Sequence, residues 1–164
     1  MMFIDKKIIL MLHKFVSKKK RLKKALDLIN LVSVIIFITL YSLCALMLLI
    51  SLDRRLIKFL LIPALVLLVV TILRKAINRK RPFEALEIEP AMEHDAGCSF
   101  PSRHASSAMI IALSVYWNNP IAGGVLIFFA LLTAVTRVLA GVHYPIDVLA
   151  GIIISILFSI LFYI

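Results

Sequence analysis

The stretch CSFPSRHASSAMIIALSVYW, residues 98–117, decides how this chain is read. Its second half is an apolar helix of the kind that enters a membrane, yet its first turn carries Ser102, Arg103 and His104. Polar and titratable groups at the mouth of a membrane helix are costly, and they persist where they face a bundle interior or an aqueous site. At 1.5 Å per residue, residues 102–117 cover about 24 Å, less than the ~30 Å hydrocarbon layer. The polar turn therefore belongs at the interface or slightly below it.

The rest of the chain agrees with a membrane setting. Of its 164 residues, 62% are hydrophobic and only 17% are charged, a balance that soluble domains of this length rarely approach. Apolar runs at 28–52, 56–77, 121–139 and 145–164 read as further spans. Pro63 falls early in the second, where neighbouring helices can satisfy the backbone group it frees. The expected fold is an all-α polytopic membrane bundle of about five transmembrane helices. It divides into a basic amphipathic interfacial segment, 1–27, and a transmembrane domain, 28–164.

Residues 3–16 put Ile4, Ile8, Met11, Leu12 and Phe15 on one helical face, with Asp5, Lys6, Lys7 and Lys14 largely elsewhere. That pattern predicts a helix lying in the interface. The run KKKRLKK follows, and Lys18, Lys19, Lys20, Arg21, Lys23 and Lys24 suit anionic lipid headgroups. The net charge of +10 comes without a nucleic-acid-binding motif, so no nucleic-acid partner is expected. Cys44 and Cys98 form neither a disulfide framework nor a zinc spacing. The first residues lack the apolar core and small-residue cleavage site of a signal peptide. His13 reads as a bystander, and Lys75, Arg79 and Lys80 read as snorkelling anchors.

If the spans alternate, RKAINRKRP (74–82), PSRH (101–104) and TRVLAGVHYPID (136–147) share one membrane side. The loop 78–101 on that side holds Glu84, Glu87, Glu89, Glu93 and Asp95, which read as a solvated connector. The three clusters collect Arg74, Arg81, Ser102, Arg103, His104, Arg137, His143 and Asp147. Arginine stays charged when partly desolvated and matches phosphate oxygens with a planar fork. The free N–H groups of the helix that PSRH opens add to an anion site. Asp147 can accept a hydrogen bond from one nitrogen of His143 and leave the other free to attack phosphorus. His104 can protonate the leaving oxygen while the arginines stabilise the transition state. No carboxylate cluster stands ready for magnesium, so no metal and no cofactor are expected.

These three motifs resemble those of the type 2 phosphatidic acid phosphatase superfamily, which shares its active site with vanadium haloperoxidases and bacterial acid phosphatases. The family pattern of Lys, six residues, Arg-Pro is met by RKAINRKRP, with Arg74 in the lysine position, then Arg81 and Pro82. Pro-Ser-Gly-His is met by PSRH, with Arg103 for glycine. Ser-Arg, five residues, His, three residues, Asp is met by TRVLAGVHYPID, with Thr136 for serine. The resemblance implies His143 as nucleophile, Asp147 as its orienter and His104 as general acid. Arg74, Arg81, Ser102, Arg103 and Arg137 would hold the phosphate.

The implied function is a lipid phosphatase of a bacterial cell membrane. Its substrate would be an isoprenyl diphosphate such as undecaprenyl diphosphate, phosphatidic acid or phosphatidylglycerol phosphate. A lipid phosphotransferase using the same histidine, or a non-enzymatic binder of anionic lipids, are the alternatives. Lipid binding alone would not need both histidines and Asp147. All 19 Lys and Arg residues except Arg54, Arg55 and Lys58 fall on the site side, which points that side to the cytoplasm. Bacterial relatives that recycle lipid carriers work on the outer side, so the two indications oppose each other.

Overall fold

A computed structural model describes residues 2–17, 19–92 and 97–164, so Lys18, Glu93, His94 and Asp95 lie outside the described residues. The elements run α1 (Met2–Ser17), α2 (Lys20–Ile50), α3 (Arg55–Ile77), α4 (Pro82–Ala85), α5 (Arg103–Asn118), α6 (Pro120–Leu139) and α7 (Pro145–Ser159), closed by a 3₁₀ turn at Ile160–Phe162. The protein is an all-helical, multi-pass membrane bundle. Segments Lys20–Ile50, Arg55–Ala85, Pro120–Leu139 and Pro145–Phe162 are long and apolar enough to cross a bilayer.

The opening stretch forms α5, which at 16 residues is shorter than those spans. It is the bundle's central helix and packs on α2, α3, α6 and α7. Its buried residues include Ala105, Ser106, Ala108, Ala112 and Ser114, whose small side chains let neighbouring backbones come close. Large apolar side chains on the outer helices point away from it: Met47, Leu61 and Phe128 are each more than 60% exposed, as befits a lipid-facing surface.

Local chemistry sets the breaks. Asn78 ends α3 in a left-handed conformation at φ 45° and donates its N–H to the Arg74 carbonyl. Asn119 caps two helices at once. Its N–H closes α5 onto Val115, and its side chain accepts from Ala122 N–H at 3.0 Å to open α6, with Pro120 following. Gly151 in α7 lies where a Cβ would meet the Ser102 carbonyl at 2.7 Å, so its missing side chain lets α7 touch the start of α5.

Two features of the N-terminal region come from the structure. The basic residues from Lys20 share one helix with the apolar span: α2 begins at Lys20 and runs unbroken to Ile50, because Lys, Arg and Leu favour helix as well as the apolar residues after them. In α1, Met11 and Phe15 do face outward, but Asp5 is buried with Ile9 and Val16. Spaced by four and seven residues, these three form the stripe that faces the protein. Val16 joins Leu26, Ala91, Met92, Ala140 and Val142 in an apolar cluster at the end of the bundle where α2, α5 and α7 begin.

Candidate active site

The turn between α6 and α7 fixes His143. Gly141 adopts φ 73°, and the N–H groups of Val142 and His143 both reach the Arg137 carbonyl, at 3.2 and 3.3 Å. Pro145 then starts α7, and Asp147 in its first turn accepts the Tyr144 N–H at 2.9 Å. His143 and Asp147 are both fully buried. Nδ1 of His143 lies 3.6 Å from Oδ2 of Asp147, a contact longer than a hydrogen bond. Ser99 sits beside the pair: its hydroxyl donates to Asp147 Oδ2 and lies 3.4 Å from His143 Nδ1. Burial pushes the His143 imidazole below its ordinary pKa, with Arg81 and Arg74 acting the same way and Asp147 opposing.

The other carboxylate oxygen, Oδ1, accepts from Arg79 at 2.8 Å. Arg79 is therefore not a snorkelling anchor. It stacks 3.9 Å over the Tyr144 ring and reaches Asp5 of α1 at 3.6 Å. The Ser102 N–H donates to the Asp147 carbonyl at 2.9 Å, which ties PSRH to the α7 turn.

The arginines named from sequence gather at this end of the bundle. Arg74 donates to the carbonyls of Pro101 at 3.0 Å and Ser99 at 3.4 Å, and also to that of Cys98. Arg81 donates to the Val142 carbonyl at 3.3 Å, one residue from His143. Ser102 is fully buried as the cap of α5. Arg103 and His104 are exposed, and with Arg137 they line a cleft of about 450 Å³ that runs down between α2, α5 and α6. Arg137 is itself buried and donates to Asn30 of α2. The site thus has two parts, the buried His143–Asp147 pair and a charged cleft mouth. The Arg137 backbone joins them.

Sequence reasoning missed Ser99, Arg79, Asp5 and Asn30. Ser99 stood two residues before a recognised motif, and Arg79, read as a snorkelling anchor, stood inside one. Asp5 had one available signal, since it falls four residues before Ile9 on the buried stripe of α1. Asn30 is a polar residue in an apolar span, a feature that calls for a reason. His13, read as a bystander, has Nε2 2.9 Å from the Glu89 carbonyl. Among the supposed connector acids, Glu84 accepts from the Arg81 N–H at 3.2 Å and Glu89 lies 3.8 Å from Lys23.

The sequence model of the PAP2 superfamily matches residues 55–164, more than half of the chain. Undecaprenyl-diphosphatase BcrC of Bacillus subtilis is 37% identical over 83 residues, which are 51% of this chain and 43% of that protein. The lipid A 1-phosphatase of Rhizobium johnstonii is 34% identical over 99 residues, 57% of this chain and 41% of that one. The matched segments thus span less than half the length of these relatives. Among solved structures, Aquifex aeolicus LpxE superposes with a TM-score of 0.64 at 26% identity, covering 85% of this chain and 93% of LpxE. A PAP2-type phosphatidylglycerolphosphate phosphatase from Bacillus subtilis gives a TM-score of 0.77 at 21% identity, over 99% of this chain and 84% of that one, a likeness of fold.

Proposed function

Because the chain belongs to the PAP2 superfamily, we propose that it is a membrane lipid phosphatase working through a phosphohistidine on His143. The observation that carries this reading is a fully buried histidine held against a fully buried carboxylate among arginines. Burial keeps His143 neutral, the form whose Nε2 lone pair can attack. Nε2 bonds to the terminal phosphorus as the bond from phosphorus to the lipid-side oxygen breaks. His104 gives that oxygen a proton. In the second half, His104 takes a proton from water, the water oxygen bonds to phosphorus, and the P–N bond breaks to release phosphate. The imidazolium that forms is stabilised by Asp147, which Ser99 and Arg79 hold in place. Arg74, Arg81, Arg103 and Arg137 balance the charge on the phosphoryl oxygens, and Ser102 offers its hydroxyl.

The substrate class is a lipid phosphomonoester or diphosphate, with isoprenyl diphosphates favoured by the likeness to BcrC. The exposed Lys19, Lys20, Arg21 and Lys24 would draw anionic headgroups to the site end.

The test uses detergent-purified protein, a prenyl diphosphate labelled with ³²P on its terminal phosphate, and a chelator. Phosphate release that survives chelation, with label trapped on protein by rapid acid-free quenching, is expected. Both signals vanish in His143→Ala. A His143→Ala variant that keeps the parent rate ends the nucleophile assignment. Membrane side is decided separately by a membrane-impermeant maleimide on Cys98 in intact cells carrying Cys44→Ser. Labelling puts the site outside, and protection that is lost on lysis puts it in the cytoplasm.

A further inference from the structure

The cleft is layered. At its mouth stand Asn30, Arg103 and Arg137. One helical turn deeper, three or four residues along each helix, stand Ser33 on α2, Ser107 on α5 and Thr133 on α6. A turn deeper again, Phe37 and Ile111 make the lining apolar. Three hydroxyls, with Val34 and Ala108 beside them, therefore lie between the charged mouth and the apolar floor.

Two of those hydroxyls are unusual. Ser33 is 2% exposed and Thr133 is 7% exposed, and neither side-chain oxygen has a hydrogen-bond partner. The other buried hydroxyls of the helices behave differently: those of Ser106, Ser114, Thr136 and Ser155 each donate to a carbonyl at 2.8–3.0 Å. An unmade hydrogen bond at a buried hydroxyl costs stability, so a pair of them lining one cleft marks a place for a polar ligand group. Nε of Arg137 is a third buried polar atom without a partner, and it belongs to the same lining.

We propose that Ser33 and Thr133, with Arg137 Nε, form a second polar subsite for the inner phosphoryl group of a lipid diphosphate. The subsite thereby selects diphosphates over monophosphates. This rests on the phosphatase reading and narrows its substrate class. The terminal phosphoryl group lies at His143, the inner one remains on the lipid and lies towards the membrane, and the chain continues over the apolar floor. Charge supports an anionic occupant over a neutral ester linker. Arg103 and Arg137 line the cleft, and among the described residues no Asp or Glu does. A guanidinium N–H and two hydroxyls can all donate to phosphate oxygens.

The experiment compares kcat/KM on a prenyl diphosphate, the prenyl monophosphate of equal chain length, and phosphatidic acid. Ser33→Ala with Thr133→Val is expected to lose at least about tenfold on the diphosphate, the low end for one lost hydrogen bond to a charged group, and less than about twofold on the others. Thr133→Ser, which keeps the hydroxyl, should match the parent. An equal loss on all three substrates, or no loss on the diphosphate, overturns the subsite. Binding of a prenyl methylenediphosphonate against the matching monophosphonate reads the subsite without turnover. The parent should prefer the diphosphonate and the double variant should not, whereas equal binding by the parent sinks the proposal. If the parent releases phosphate from no substrate, the phosphatase reading fails, and the binding comparison still decides the subsite.

Discussion

Arg79 and Asp147, 68 residues apart in sequence, are joined by a 2.8 Å charge-assisted hydrogen bond. The carboxylate is fully buried, so its charge depends on that partner together with Ser99 and the Tyr144 N–H. Arg79 touches no reacting atom in the proposed mechanism and acts through Asp147 as a positioning residue. Arg79→Gln should lower kcat by about 10–100-fold, since breaking a buried pair is costly, about 3–5 kcal/mol when neither partner reaches water. The upper end is not expected, because the arginine side chain is 21% exposed. Arg79→Lys should recover part of the rate with KM unchanged. A parental kcat in Arg79→Gln would remove the residue from the mechanism.

Asp5 connects α1 to the same network through Arg79 at 3.6 Å. Asp5→Asn should lower kcat only severalfold, because the longer contact contributes less than the Asp147 bond. If Asp5 works through Arg79, adding Asp5→Asn to Arg79→Gln should change little further, and the double-mutant cycle should show coupling. Additive losses would mean that α1 supports the site by another route.

The glycines separate close packing from open space. A Cβ on Gly151 would meet the Ser102 carbonyl at 2.7 Å and Ser106 N at 3.2 Å, whereas one on Gly124 would meet nothing within 4 Å. Gly151→Ala should cost about 1–3 kcal/mol and shift α7, carrying Asp147 away from Ser102, so activity falls with stability. Gly124→Ala should be neutral or stabilising by up to about 1 kcal/mol. Thermal melts in detergent, with activity measured beside them, test the pair. A neutral Gly151→Ala would refute the close approach.

The acid limb of the rate profile reports His143. Burial holds its pKa below the ordinary value, so the neutral nucleophile persists as pH falls through the usual histidine range near 6.5. The limb in kcat/KM should lie below that range and vanish with the activity in His143→Ala. Stability follows the same sign. The unfolded chain binds the His143 proton at higher pH than the folded one, so acidification through that range destabilises the fold. A limb above pH 7 would contradict the buried, neutral histidine.

Much of this site was legible before any fold. Helix ends are written in local chemistry, as at Asn78, Asn119–Pro120 and Pro145, and the lengths of apolar runs follow from bilayer thickness. From these alone, three polar clusters converge on one end of the bundle. Contacts between α3, α5 and α7, such as Arg74 to the Pro101 carbonyl and Ser102 N–H to the Asp147 carbonyl, bring them together. The membrane-spanning, all-helical character and the family were readable because periodicity, length and motif spacing are one-dimensional properties.

The partners within the site were not. Arg79 and Arg81 lie two residues apart in one basic run, yet one reaches Asp147 and the other the Val142 carbonyl. Which side chain turns inward depends on the direction the chain takes after Asn78. Ser99 met both His143 and Asp147, and Asn30 met Arg137, only because helices distant in sequence pack closely around α5. The sequence by itself determined which elements form and which chemistry they carry. Tertiary structure alone decided which buried donor faces which acceptor, because hydrogen bonds act over about 3 Å and such distances arise only from long-range packing.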